Sequence, residues 1–295
     1  MNSTLDQLLA HAPVVTDGAL GTELQARGLD SGECPDTWNL ARPSEVEALA
    51  QAYVEAGSQI ILTNTFRSNR LALQTMGLAD RLEELNRSAV EIARRASQGR
   101  AQIFASLGPC GKLLVMGEVT PEEVARAFAE QAGILSAAGV DGFVIETMAD
   151  IEEAKVAVEA IKPLGRPVVI SFVFDSGRNL DRTMTGVTPE RAAKELTDAG
   201  ADVIGANCAL GIDAYIPICQ RLRASTNRPV WIKANAGLPE MVDGKVKYQS
   251  TPEAFASSIP AILQAGASFV GGCCGTNPEY VRAISETVRR WRHET

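Results

Sequence analysis

The sequence lacks the features of a membrane-spanning, secreted or nucleic-acid-binding chain. No apolar run approaches the roughly 18 residues that a bilayer span needs. The first residues have neither the basic start nor the apolar core of a signal peptide. Acidic residues outnumber basic ones by 36 to 28, and the formal net charge of −8 argues against nucleic acid and anionic membrane surfaces. We therefore expect no nucleic-acid partner and no membrane partner.

The sequence also lacks the pattern of a disulfide framework. Six cysteines are spread over 295 residues without a secretion signal, so we expect reduced thiols in a cytoplasmic protein. There is no glycine-rich dinucleotide fingerprint, no linker and no low-complexity tract. These absences predict one soluble domain that covers residues 1–295.

What the sequence contains is a predicted strand followed by a predicted helix, eight times over. The strands are apolar throughout rather than alternating, as in a parallel sheet covered on both faces. Helices begin at pairs such as Thr120-Pro121 and end at glycines such as Gly139. Length, number and order predict an α/β fold, a single-domain (β/α)8 TIM barrel. A doubly wound open sheet is the alternative.

Polar residues gather at the predicted carboxyl ends of these strands, where such barrels carry their catalytic groups. Each one has a structural explanation when it is taken alone. Asp17 beside Gly18 suits a turn, and Asn207 could brace the backbone. Their common position on one rim instead indicates a functional site, and the set comprises Asp17, Thr63, Asn64, Thr65, Ser106, Glu146, Thr147, Asn207, Asn235 and three cysteines.

Those three cysteines follow two apolar runs. Cys273 and Cys274 stand between glycines near the C-terminus, and Cys208 follows the run 202–206 after Asn207. Adjacent residues on a regular strand point to opposite faces, so the pair can share a target only where the chain leaves the pleat. Buried packing is the plain explanation for such cysteines. Three converging thiolates would instead make a zinc site with one open position, which is the pattern of catalytic zinc.

These motifs resemble those of the homocysteine S-methyltransferases. That family includes betaine–homocysteine methyltransferases, S-methylmethionine-dependent enzymes and the homocysteine domain of cobalamin-dependent methionine synthase. The resemblance covers nearly the whole chain in family order, through segments 17–22, 62–66, 145–148, 205–208, 235–237 and 271–276. It implies a barrel that transfers a methyl group to the sulfur of homocysteine, giving methionine, with Zn²⁺ held by Cys208, Cys273 and Cys274.

The resemblance also implies a substrate site. Asp17 and Glu146 match acidic residues that hold the α-amino group of homocysteine. Gly18, Asn64 and Thr65 match positions that line the amino-acid pocket. Thr63 and Asn207, on the same rim, and Trp38, in the loop after the first strand, also belong to the expected substrate-binding set. The presence of only two histidines, His11 and His293, fits a reaction in which zinc holds the thiolate and no general base is required.

The methyl donor is the least defined part of the prediction. Trp38, in the loop after the first strand, could pack against a quaternary ammonium group by cation–π contact, or could only cover the barrel rim. The chain ends at Thr295 without a folate or cobalamin domain. We therefore expect a small donor that reacts directly, such as betaine or S-methylmethionine. A separate corrinoid protein as the methyl carrier is the alternative.

Functions of other classes use some of the same features. Glycines before a helix also build phosphate sites in barrels. An isomerase or aldolase without zinc is therefore one alternative, with Lys233 as its candidate lysine. A non-catalytic relative that binds zinc or an amino acid is another. The sequence leaves the oligomeric state open, a homo-oligomer included. It does not assign Cys34, Cys110 or Cys219 to zinc, and for Cys110 packing is favoured over a transient ligand role.

Overall fold

A computed structural model describes residues 3–30, 32–242 and 245–294 of the chain. Its strands are β1 (Val14–Val15), β2 (Ile60–Leu62), β3 (Gln102–Leu107), β4 (Gly142–Met148), β5 (Val168–Phe172), β6 (Val203–Gly211), β7 (Val230–Asn235), β8 (Pro239–Val242), β9 (Lys245–Tyr248) and β10 (Ala267–Gly272). All except β8 and β9 form an eight-stranded parallel sheet in the order β1-β10-β7-β6-β5-β4-β3-β2.

The two ends of this sheet meet. A parallel bridge joins Thr16 to Ile60, and the Gln59 amide donates to the Val15 carbonyl at 2.7 Å, so β1 lies against β2. The predicted (β/α)8 barrel is therefore confirmed, and the open sheet is excluded. The eight barrel strands are the eight that the sequence predicts.

Helices cover the outside of the barrel. They are α1 (Ser3–Leu9), α2 (Gly21–Ala26), α3 (Trp38–Ala41), α4 (Pro43–Ala56), α5 (Arg70–Thr75), α6 (Leu82–Ser97), α7 (Pro121–Ala138), α8 (Ile151–Ile161), α9 (Pro189–Asp198), α10 (Tyr215–Ser225), α11 (Pro252–Ser257), α12 (Ile259–Gln264) and α13 (Pro278–Glu294). Their ends follow local chemistry: α7 begins with a capping box between Thr120 and Glu123 and ends at Gly139 with φ +94°. No helix in the described ranges is both long and apolar enough to cross a bilayer.

Two apolar clusters hold the barrel together. The larger one lies between the strands and the surrounding helices. The smaller one consists of strand residues such as Phe104, Val144 and Trp231, together with Leu5 and Leu8 of α1. Its strand members face the barrel interior, so α1 packs against the interior plug. The interior is thus a packed core rather than a pore.

A polar layer follows the plug along the strands. Side chains repeat direction every second residue on a strand. Two positions after inward-facing Phe104, Val144 and Trp231 come Ser106, Glu146 and Lys233, in the carboxyl direction. All three lie on the surface of one cavity. The regular pleat therefore delivers a serine, a glutamate and a lysine to the same level of the barrel.

The loop after β7 differs from the sequence prediction. Residues 238–250 were expected as a polar loop, but β8 and β9 pair there as an antiparallel hairpin. The missed signal is the Asp-Gly pair at 243–244, which is typical of tight hairpin turns. Those two residues themselves lie outside the described part of the chain.

Candidate active site

Three thiols converge at the carboxyl end of the barrel. Cys208 lies near the end of β6, and Cys273 and Cys274 follow directly after β10. The three Sγ atoms lie within 4.8 Å of one another, and those of Cys208 and Cys274 are 3.7 Å apart. The thiols are free and half-buried. Cys273 and Cys274 lie beyond the end of β10, where the chain has left the regular pleat. Their two side chains can therefore share one target.

The backbone at these strand ends is bent into an uncommon conformation. Cys208 and Ala209 have φ of +69° and +51°, and Thr147 at the end of β4 has φ +62°. The pairing of β6 with β7 is irregular between Cys208 and Gly211. A left-handed residue with a side chain costs about 1–2 kcal/mol, and such strain concentrates at functional sites. The bulge at Cys208 is what brings its sulfur toward the other two.

Glycine is required at the end of β10, just before the adjacent cysteine pair. A Cβ atom at Gly271 would lie 2.0 Å from Thr16 Oγ1 and 2.8 Å from the Asp17 carbonyl. The absence of a side chain therefore lets β10 approach β1 closely. The turn beyond it is held by the Thr276 hydroxyl, which donates to the Cys273 carbonyl at 2.7 Å.

The cluster fits a metal ion that prefers sulfur. Tetrahedral coordination with metal–sulfur bonds of about 2.3 Å would place sulfurs about 3.8 Å apart, close to the 3.7 Å between Cys208 and Cys274. A hydrogen bond with Cys208, and then burial, raise the pKa of the Cys273 thiol above its ordinary value. Three neighbouring thiolates are thus unfavourable without a cation to compensate them. A divalent cation removes that penalty.

A cavity of about 360 Å³ borders the thiols. Nine of the residues predicted for the rim or the substrate site lie on its surface, namely Gly18, Thr63, Asn64, Ser106, Glu146, Thr147, Cys208, Cys273 and Cys274. Leu62 and Lys233 lie there too, together with residues of the loops after β1 and β2. The cavity thus joins the sulfur cluster to the polar layer of the barrel.

Asn207 is not on the cavity surface but braces the strand ends behind the thiols. It is fully buried, and its Oδ1 accepts from the Thr147 amide at 2.9 Å and from the Ser171 hydroxyl at 2.6 Å. Its Nδ2 donates to Thr147 Oγ1 at 2.8 Å and lies 4.0 Å from Cys273 Sγ. The bracing role considered from the sequence is therefore what the contacts show.

Thr65 is likewise fully buried beneath the cavity wall. Its hydroxyl donates to the Ser106 carbonyl at 2.7 Å and lies 2.6 Å from that of Thr63. Asn64 donates to the Pro35 carbonyl at 2.8 Å and to Asn39 Oδ1 at 3.1 Å. These bonds tie the loop after β1 to the end of β2, which shapes the cavity entrance.

Asp17 lies behind the cavity rather than on it. It is 1% exposed and forms an ion pair with Lys233, while its second oxygen accepts from the Leu62 amide at 2.7 Å. Lys233 is on the cavity surface. Burial alone would lower the pKa of Lys233, but Asp17 and Glu146 outweigh it and raise that pKa. The lysine is therefore a permanent buried cation.

Glu146 faces the same cavity. Burial raises its pKa above the ordinary value, against the opposing effects of Lys233 and the Ser106 hydroxyl, which donates to Oε1. Asp36, in the loop after β1, also lines the cavity, and burial raises its pKa to about 6. The Ser68 hydroxyl and the Arg67 amide donate to its carboxylate at 2.7 and 2.8 Å.

The structure does not bring Trp38 to the cavity. Its ring is 2% exposed and belongs to the apolar layer outside the barrel. The Arg42 guanidinium lies 4.6 Å from the ring centroid, so a cation of the chain itself occupies one face. The aromatic side chain on the cavity surface is Phe66.

Lys233 and Tyr248 are site residues that the sequence analysis did not assign to this function. Lys233 lies two residues after Trp231 on the same strand, so both side chains point in the same direction. A strand that is apolar throughout does not show which of its residues point inward. Tyr248, at the end of the hairpin, packs against Gly275, where a Cβ would lie 2.2 Å from the ring. Burial, and then the neighbouring Cys274 and Cys208, raise its pKa. No local pattern links Tyr248 to residue 275.

Comparisons with known proteins identify the family of the chain. Residues 14–288 match the family model described as homocysteine S-methyltransferase. Methionine synthases of Mycobacterium leprae (strain TN) and Mycobacterium tuberculosis (strain ATCC 25618 / H37Rv) are each 30% identical, over 308 and 306 residues. The alignments cover 98% and 97% of this chain but only 25% of either relative. The chain thus spans about a quarter of the length of these curated relatives.

Solved structures show the same fold. The metallated form of the homocysteine methyltransferase MmuM from Escherichia coli has a TM-score of 0.79 at 22% identity, covering 96% of this chain and 98% of that one. Its apo form has a TM-score of 0.72. At this identity the likeness concerns the fold, whereas the family match extends over most of the sequence. The chain belongs to the homocysteine S-methyltransferase family.

Proposed function

We propose that residues 1–295 form one homocysteine-binding barrel domain that transfers a methyl group to the homocysteine sulfur and yields methionine. The observation that carries this proposal is the cluster of three thiols, within 4.8 Å of one another, beside a cavity with a buried glutamate and a buried lysine. The family membership and the methionine synthase relatives support the same reaction.

Cys208, Cys273 and Cys274 would hold Zn²⁺ in this proposal. A bound zinc ion supplies the charge that keeps an acceptor thiol deprotonated at neutral pH. The chain contributes the placement of the three sulfurs, through the bulge at Cys208 and the glycine-flanked turn at the other two. All three cysteines border the cavity, so a thiol in that cavity can reach them.

The remaining cavity residues would bind and orient the amino acid. Glu146 offers a carboxylate to the α-ammonium group, and Gly18, Thr63 and Asn64 shape the adjoining wall. The acceptor sulfur then attacks the methyl carbon. A sulfur–carbon bond forms as the bond from that carbon to the donor breaks, and the bonding electron pair leaves with the donor.

Two kinds of donor remain proposals. A methylated ammonium or sulfonium compound, such as betaine or S-methylmethionine, would react directly in the cavity, where Phe66 and Asp36 offer an aromatic face and a carboxylate. A methylated corrinoid on a separate protein is the second candidate. The methionine synthase relatives support the second candidate as well, and the burial of Trp38 removes the aromatic group that the sequence offered to an onium donor.

The phosphate-site alternative fits the contacts less well. Lys233 is already paired with Asp17, and Glu146 faces the same cavity. A phosphate dianion carries no cationic group to offset the two carboxylates beside that ammonium, so it is disfavoured there, whereas an amino acid brings its own ammonium group. The thiols also have no role in that chemistry.

Methionine formation tests the proposal. Reduced, zinc-loaded protein is given homocysteine with betaine, with S-methylmethionine, or with methylcobalamin and methyltetrahydrofolate. Methionine from an onium donor alone would establish direct transfer, and methionine only with the corrinoid would establish the second candidate. Absence of methionine with every donor, in protein shown to contain zinc, would contradict the proposal and favour a non-catalytic binding protein.

A further inference from the structure

Lys233 is the buried cation of the cavity. Its side chain is 3% exposed, yet it contributes to the cavity surface. An ammonium group has three hydrogen-bond donors. Among the described residues its recorded hydrogen-bond partner is Asp17, which lies behind the cavity wall. Donors are therefore left for a ligand in the cavity.

Glu146 is the complementary anion. It lies in the same polar layer, 8% exposed, and its Oε1 accepts from the Ser106 hydroxyl. Glu146 and Lys233 both lie on the surface of the same cavity, so one ligand can contact both side chains. The cavity thus presents one ammonium group and one carboxyl group, the complement of an α-amino acid zwitterion.

We propose that Lys233 binds the α-carboxylate of the amino-acid substrate whose α-ammonium group the proposed function assigns to Glu146. Together they select amino acids over thiols that lack either charge. Asp17 is then a positioning residue, because its carboxylate holds the Lys233 ammonium and the Leu62 amide from behind. This inference rests on the proposed function, since it assigns the recognition of the acceptor in the same cavity.

A purely structural role for the ion pair is the competing explanation. Asp17 follows β1 and Lys233 is in β7, and β10 lies between these strands. The sole role of the pair could therefore be to hold these strands of the barrel together. A purely structural role predicts that removal of the ion pair lowers stability but leaves the relative affinities for different ligands unchanged.

Binding of thioether ligands separates the two explanations without turnover and without a thiolate. The probes are L-methionine, 3-(methylsulfanyl)propan-1-amine, which lacks the carboxylate, and 4-(methylsulfanyl)butanoate, which lacks the ammonium group. Calorimetric titration of the Lys233→Met variant should show L-methionine bound about 10- to 100-fold more weakly than by the wild type, the range for a lost charged hydrogen bond. Affinity for the amine should stay the same or rise. Lys162→Met is the control, because Lys162 pairs with Asp202 outside the cavity.

Equal losses for L-methionine and the amine, or no loss for either, would overturn the proposal. If Lys233→Met does not fold because Asp17 is left as an unpaired buried charge, the double variant Asp17→Asn/Lys233→Met removes both charges. It too should lose the preference for L-methionine over the amine, and a preserved preference would overturn the proposal. The methionine-formation assay of the wild type is scored separately, so failure of the reaction and failure of this assignment are distinguishable.

Discussion

Each of the three thiols beside the cavity supplies one ligand of the proposed zinc site, so the loss of one weakens binding of the ion by the other two. Serine at position 208 keeps the size of the side chain but replaces a sulfur ligand that zinc prefers. We expect Cys208→Ser to lower bound zinc well below the level of about one ion per chain and to abolish methionine formation. Metal analysis by mass spectrometry after dialysis measures the first effect.

Cys219→Ser is the matched control for that change. Cys219 is buried in α10, with Sγ 3.9 Å from the Ile262 carbonyl, and does not border the cavity. The control should keep its zinc. Full zinc content and full activity in Cys208→Ser would contradict the proposed ligand set.

The charge of Glu146 should make ligand binding depend on pH. Burial raises its pKa, so the carboxylate becomes neutral at a higher pH than an ordinary glutamate. Affinity for L-methionine should therefore decline as pH falls through that raised pKa, because the α-ammonium loses its partner. Titrations between about pH 5 and pH 8 should show the decline in the wild type and its absence in Glu146→Gln. A parallel decline in both proteins would assign the effect to another group.

The contribution of Glu146 to the free energy of unfolding should change with pH in the opposite direction from the affinity for L-methionine. A carboxyl group whose pKa is raised by folding binds its proton more tightly in the folded state. Its contribution to the free energy of unfolding therefore falls as pH rises from the unfolded to the folded pKa. Glu146→Gln should thus be no less stable than the wild type at neutral pH while it binds the amino acid more weakly.

The sequence predicted the position of a single side chain correctly where the residue type and its place at a strand end were enough to define it. The cysteines could be identified because thiols at strand ends of a parallel barrel must face one rim. Trp38 could not be placed, since the direction of a loop side chain depends on packing that the local sequence does not encode. Lys233 escaped for a similar reason: in a strand buried on both faces, apolar neighbours hide which residues point inward.

At the scale of elements, the β8–β9 hairpin lies against the turn that carries the cysteine pair. Gly275 has φ +80°, and its missing side chain leaves room for the Tyr248 ring. Gly275→Ala should be destabilised twice, by the left-handed backbone and by the clash with Tyr248. It should also weaken zinc binding, because the turn at Cys274 would shift.

Gly77→Ala is the control for the backbone effect alone. Gly77 has φ +69°, and no atom lies within 4 Å of the position a Cβ would take. Its substitution should cost about 1–2 kcal/mol of unfolding free energy. Gly275→Ala should cost more in the same denaturant titration. Equal costs, with zinc affinity unchanged in both variants, would show that the hairpin has no influence on the thiols.

Elements were predicted well where capping signals were complete. α4 and α7 begin at prolines and end at glycines in left-handed conformation, and these residues define helix ends locally. The hairpin was missed because its strands are short and exposed. Such a pair gains most of its stability from the surface it packs on.

At the scale of the whole molecule, the barrel does not depend on the thiol cluster for its core. The interior plug and the layer beneath the helices consist of apolar residues from all parts of the chain. Removal of zinc by a chelator should therefore leave the far-ultraviolet circular dichroism unchanged. The thermal midpoint should fall by a few degrees, because a ligand at a hundredfold excess over its Kd contributes about 2.7 kcal/mol. Unfolding on chelation would instead make the metal structural.

The sequence by itself determined the eightfold strand–helix repeat, the capped helix ends and the three cysteines at strand ends, because periodicity and capping act over a few residues. Only the tertiary structure decided the rest. It joined Asp17 to Lys233 across 216 positions, placed Glu146 near them and buried Trp38 beneath Arg42. Burial and charge pairing are properties of residues that meet in space. A one-dimensional pattern therefore locates the rim of the site but not the partners within it.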